Sequence, residues 1–82
     1  MSECYWDSDL ERPLHTREGR RLRTLREAYE FVRDRCAYPG HPLVRTSLGA
    51  LSAAAQTGQV HDARRALERT ARLMRANHWG WG

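Results

Sequence analysis

The most regular pattern of apolar and polar positions runs through residues 60–77, VHDARRALERTARLMRAN. Ala63, Ala66, Leu67, Thr70, Leu73 and Met74 recur at spacings of three and four, which puts them on one side of a helix. Arg64, Arg65, Arg69, Arg72 and Arg75 fall largely on the other side. Asp62 in the first turn complements the helix dipole. The segment before it, residues 43–57, reads as a second helix with Val44, Ser47, Leu48, Leu51, Ala54 and Ala55 inward. Its small residues allow close helix packing. Gly58 follows as a C-terminal cap.

Residues 25–37 carry a third helical stripe, with Leu25, Ala28, Tyr29, Val32 and Cys36 inward and Phe31 widening it. Arg26, Glu27, Glu30, Arg33 and Asp34 mix both signs of charge outside, as on a solvated helix. Tyr38-Pro39-Gly40-His41-Pro42 breaks the pattern. Pro39 stops one helix, and Pro42 suits the first turn of the next.

Residues 10–24 read as a β-hairpin. Leu14 and Leu22 share a face if they pair, which needs a three-residue loop, Arg17-Glu18-Gly19, with Thr16 opposite Arg20. Gly19 then occupies the loop position with positive φ, a type I turn followed by a G1 bulge. A two-residue Glu18-Gly19 loop pairs His15 with Leu22 and sends the leucines to opposite faces. Pro13 has no N–H to give to a ladder, so its strand is an edge strand or presents that position outward. The competing reading starts a helix near Arg17, along the seam Leu22, Leu25, Tyr29, Val32 and Cys36. Gly19 inside the first turns counts against it, and so does Thr24-x-x-Glu27, a capping box that starts a helix at Thr24.

These elements predict one α+β domain of order ββααα, three helices packed on one face of a short hairpin. A polar leader (1–9) precedes the domain (10–78), and a Trp/Gly tail (79–82) follows. Eighty-two residues hold one small core, with a net stability of about a few kcal/mol.

Charge changes the picture less than it first promises. The net charge is +4, and all 14 basic residues are Arg. Lys and Ile are absent, and Asn77 and Phe31 are single examples of their types. These are residues with AT-rich codons, so a GC-rich bacterial genome explains much of the Arg content. A basic surface still attracts polyanions. The N-terminus is acidic and lacks the apolar segment of a secretory signal. The longest apolar run, LGALSAAA, is too short for a membrane span. The expectation is a cytoplasmic protein with Cys4 and Cys36 as free thiols.

The order hairpin, helix, Pro/Gly break, alanine-rich helix and Ala-Arg-rich helix resembles the domain-of-unknown-function family 982, small proteins of Rhizobiales and related GC-rich bacteria. The resemblance is carried by Arg12-Pro13-Leu14 and by Arg20–Thr24 leading into Glu27-Ala28. It ends with Ala55-x-x-Gly58 before Ala63-Arg64-Arg65-Ala66. It departs where the family often has Trp-Pro, since this chain has Cys36-Ala37-Tyr38-Pro39, and at Trp79-Gly80-Trp81-Gly82. It implies an α+β fold and no established activity or functional residue.

The remaining chemistry is sparse. Cys4, Cys36, His15, His41, His61 and His78 show no C-x-x-C, H-x₃-H or H-E-x-x-H spacing. Cys36 and His41 span a Pro/Gly turn that could pinch a zinc. They are also the one Cys/His pair close in sequence, but no orienting group or oxyanion site accompanies them. Cys36 completes an apolar stripe and reads as a packed thiol. The isolated glycines make no phosphate loop. No catalytic residue, metal ligand or cofactor is expected.

Arg65, Arg69 and Arg72 adjoin on the helix surface, and only Glu68 is placed to relieve them there, by meeting Arg64 and Arg72. A second set, Arg17, Arg20, Arg21 and Arg23, lies on the hairpin. The candidate polyanion contacts are therefore Arg64, Arg65, Arg69, Arg72, Arg75, Arg21 and Arg23. The candidate interface residues are Trp6, Trp79 and Trp81. The two tail tryptophans either cover the open side of the hairpin, dock on another subunit or lie on a disordered tail. The sequence thus points to a non-enzymatic interaction or regulatory module with a protein partner or a second copy. Its alternative is weak, salt-dependent nucleic-acid binding through the arginine face.

Overall fold

The computed structural model describes residues 4–35 and 41–79. The elements are β1 (Asp9–His15), β2 (Arg21–Thr24), α1 (Leu25–Arg35), α2 (Pro42–Thr57) and α3 (Val60–Ala76). This is the ββααα order expected from the periodicity. Cys36, the Tyr38-Pro39-Gly40 break and Trp81 lie outside the described residues.

The strands form an antiparallel pair in which Leu14 faces Leu22 and His15 faces Arg21. The Thr16 N–H donates to the Arg20 carbonyl at 2.9 Å, and the Gly19 N–H to the Thr16 carbonyl at 3.0 Å. Gly19 has φ +87°, so the three-residue loop forms in the register that keeps both leucines inward. Leu10, Leu14 and Leu22 are buried. The pairing is irregular between Asp9 and Leu14, a bulge that the alternation alone does not announce.

The competing helix from Arg17 does not form. The Thr24 hydroxyl accepts from the Glu27 N–H at 3.2 Å. The Glu27 carboxylate in return accepts from the N–H groups of Arg23 and Thr24, at 2.9 and 3.2 Å. These bonds satisfy donors that the start of α1 would otherwise leave orphaned, which fixes the strand–helix boundary at Thr24.

Helix α1 buries Leu25, Ala28, Phe31 and Val32. Its stripe is rotated toward Phe31 relative to the sequence reading, and Tyr29 is half-buried. The aromatic residues at the chain ends explain this. Trp79 meets Phe31 edge-on at 6.2 Å, and Trp6 meets Tyr29 edge-on at 5.0 Å.

Helix α2 begins with Pro42 in its first turn behind an N-cap at His41, whose Nδ1 accepts from the Leu43 N–H at 3.2 Å. It ends at Gly58, which has φ +66° and donates to the Ala54 carbonyl. The next orphan carbonyl, Ala55, accepts from the Tyr5 N–H. The acidic leader is thus bonded into the fold from Tyr5 on, and the carbonyls of Trp6 and Ser8 accept from Arg26 and Leu25 at the start of α1.

Helices α2 and α3 pack through small side chains. Ala54, Ala55 and Ala66 are buried in a continuous core with Leu51, Leu67, Leu73 and Met74, and Ser47 and Thr70 are buried polar residues of the same two helices. The Ser47 hydroxyl donates to the Arg69 carbonyl. The Thr70 hydroxyl is fully buried and has no partner among the described residues.

Past α3 the chain reverses at His78, which adopts φ +57°. The His78 N–H donates to the Arg75 carbonyl, and the Trp79 N–H to the Met74 carbonyl. This is a Schellman motif with histidine where glycine is usual. It turns Trp79 back onto Phe31 and Met74, and the Trp79 carbonyl accepts from the Arg17 N–H at 2.9 Å. Trp79 therefore belongs to the folded domain and covers the core beside the hairpin loop.

Candidate polyanion-binding face

The geometry of α3 gives its arginines their place. With Ala66, Leu67, Thr70, Leu73 and Met74 buried, the rotation of about 100° per residue carries Arg65, Glu68 and Arg72 to the outermost ridge. Arg69 lies on the flank toward α2, where its carbonyl meets Ser47. Arg64 and Arg75 lie on the flank toward β1.

The fold brings one acidic residue to this surface. The Glu11 carboxylate of β1 accepts from Arg64 Nε at 2.9 Å. That hydrogen bond and the attraction of the Glu11 charge raise the Arg64 pKa, and Glu68 adds to the effect. Glu68 does not form the close ion pairs with Arg64 and Arg72 that its spacing permits. Arg64 turns instead to a partner 53 positions away in the chain. Sequence spacing shows neighbours on one helix but cannot show a strand docked beside it.

Arg65, Arg69, Arg72 and Arg75 make no ion pair among the described residues. Arg64, Arg65, Arg69 and Arg72, with His61 and Glu68, line an open depression of about 310 Å³. All six lining side chains are polar or charged. The ring of His61 lies 3.4 Å from the Asp62 carboxylate.

The hairpin arginines do not join this depression. Arg21 and Arg23 alternate with the inward Leu22, so they occupy the outer face of the hairpin. There they line a separate hollow with Asp9, Leu10 and Pro13. Arg17 is engaged with the end of α3 and donates to the His78 carbonyl at 3.2 Å. The fold thus separates Arg21 and Arg23, which share their hollow with Asp9, from the α3 depression, where Arg65, Arg69 and Arg72 have no carboxylate partner among the described residues.

The two described tryptophans are placed inward. Trp6 and Trp79 are half-buried against the core. Arg35 reinforces that corner by pairing with Glu18 of the hairpin loop while lying 5.0 Å from the Phe31 ring centre. Nothing in residue spacing signals this arrangement, because it is made by chain ends meeting elements far away in sequence.

The sheet edges are blunted as well. Thr16 and Arg20 form a hydrogen-bonded pair, so alternation makes Leu14 and Leu22 the next one and turns Pro13, Arg21 and Arg23 outward. Pro13 has no N–H, and the Arg23 N–H is taken by Glu27. Few donors are left for a further strand. Among the described residues no helix is long and apolar enough to cross a membrane. No family model, curated protein or solved structure matches the chain.

Proposed function

We propose that this chain is a small non-enzymatic binding module of the bacterial cytoplasm, and that its contact surface is the arginine face of α3, which takes an anionic macromolecule. The observation that carries this reading is the group Arg65, Arg69 and Arg72. They are adjacent, exposed and without a carboxylate partner among the described residues. Like charges three and four positions apart destabilise a helix by about a few tenths of a kcal/mol per pair. Bringing an anion to the surface relieves that repulsion.

Association of two copies through the tryptophans or a strand edge draws less support. Trp6 and Trp79 are occupied within the chain, and Pro13 and Glu27 block the strand edges. The resemblance to the domain-of-unknown-function family 982 adds no activity to choose between partners.

Retention on immobilised heparin tests the assignment. The wild-type chain is expected to bind at low salt, and Arg65→Gln/Arg69→Gln/Arg72→Gln to pass through while keeping its helical circular dichroism. Equal retention of the two would place the contact surface elsewhere.

A further inference from the structure

Resting on that reading, we propose that the anionic partner of α3 is double-stranded DNA, held through its phosphate backbone without base-specific readout. Three observations select it among polyanions.

The first is the make-up of the face. A protein partner is normally anchored by buried aromatic or aliphatic side chains at the centre of the interface. The depression on α3 contains no apolar side chain. The exposed large apolar residues among those described lie outside it: Leu43 is in the first turn of α2, and Tyr5 and Val60 are near its far end, about 20 Å away at 1.5 Å per residue. None of them lines the depression, which therefore has no apolar anchor. Phosphate contacts need no such anchor, because charge and release of counterions supply the affinity.

The second is the absence of stacking groups on this face. Single-strand binders pair a basic groove with aromatic platforms for the bases. The two described tryptophans are turned into the core and engage Tyr29 and Phe31. The ridge of α3 offers only guanidinium groups, an imidazole and a carboxylate.

The third is shape. The residues that line the depression all belong to α3, so the face is the outer side of a single helix, and an α-helix with its side chains, about 10–12 Å across, matches a B-form major groove about 12 Å wide. The A-form major groove of duplex RNA is too narrow to admit one. From Arg65 to Arg75 the basic ridge runs about 15 Å. Arg69 and Arg75 on opposite flanks are set to meet phosphates on either wall. Glu68 on the ridge repels phosphate, and Glu11 ties up Arg64. Both hold the affinity low, and the engagement of Arg64 by Glu11 keeps the number of phosphate contacts small.

Fluorescence anisotropy with a labelled DNA duplex of mixed sequence, over about a tenfold range of salt, decides the proposal. Three to four phosphate contacts predict a log–log salt slope of about −3, a loss of affinity of about a thousandfold over that range. Each of Arg65→Gln, Arg69→Gln and Arg72→Gln should reduce the slope by about 1. Arg45→Gln, an exposed arginine on α2, should leave it unchanged. Glu68→Gln should tighten binding, and so should Glu11→Gln by releasing Arg64.

No duplex binding at the lowest salt, or a slope insensitive to the α3 arginines, overturns the proposal. So does equal or tighter binding to poly-glutamate, to duplex RNA or to the single strand. If heparin retention depends on the α3 arginines while the duplex gives no signal, the anion-binding face stands and the DNA assignment falls. If heparin retention is also lost in the wild type, both fall.

Discussion

The two faces of α3 obey different rules. The inner face packs against α2, β1 and α1, and Leu73 and Thr70 are essentially inaccessible to solvent. On the outer face Arg65 and Arg72 touch solvent and repel each other's neighbours. The same 17 residues therefore carry the core of the domain on one side and a surface that contributes little to stability on the other. A surface that the fold does not need is where function has room to act, and changes on the two faces should separate stability from binding.

The largest effect belongs to the inner face. Leu73→Ala removes a fully buried leucine side chain and should lower stability by about 2–5 kcal/mol. In so small a domain that takes the melting transition close to room temperature, measurable by thermal circular dichroism. A loss under about 1 kcal/mol, the scale of an exposed substitution, would mean that the core does not depend on α3 in the way the burial implies.

Next is the turn that sets α3 against α2. Gly58 is left-handed, and a Cβ there would come within 2.8 Å of the Tyr5 ring. Gly58→Ala should destabilise by about 1–2 kcal/mol from the backbone alone, and more from displacing Tyr5. Adding Tyr5→Ala should recover only the second part. Full recovery in the double variant would show that the left-handed backbone carries no penalty here.

A smaller change of opposite sign tests the one imperfection of the inner face. The buried Thr70 hydroxyl has no partner among the described residues. Thr70→Val keeps the shape and removes the unpaired group, so it should raise stability by about 1 kcal/mol. A loss would indicate that the hydroxyl is hydrogen-bonded in solution.

The smallest effect on stability is expected on the outer face. Arg65→Gln/Arg69→Gln/Arg72→Gln removes mutual repulsion and no packing. Its melting temperature should stay level or rise by the equivalent of about a few tenths of a kcal/mol.

Much of the fold is legible in the sequence because its determinants are local. Leu14, Leu22 and Gly19 specify the hairpin register, Thr24 and Glu27 the strand–helix boundary, and Gly58 the end of α2. Legibility fails where the chain ends return to the core. Tyr5 caps α2, Trp6 covers Tyr29, and His78 in a left-handed conformation folds Trp79 onto Phe31. The candidate face is legible to the same extent. The adjacency of Arg65, Arg69 and Arg72 follows from helical spacing. The removal of Arg64 by Glu11 and the separation of Arg21 and Arg23 into another hollow follow from how β1 docks. Only long-range packing decides those two points.

The most direct test of the central claim measures melting and heparin retention side by side for the wild type and Arg65→Gln/Arg69→Gln/Arg72→Gln. The predicted result is an unchanged or slightly raised melting temperature together with lost retention. A variant that keeps its retention, or that loses it only because it no longer melts cooperatively, would contradict the assignment of binding to the outer face of α3.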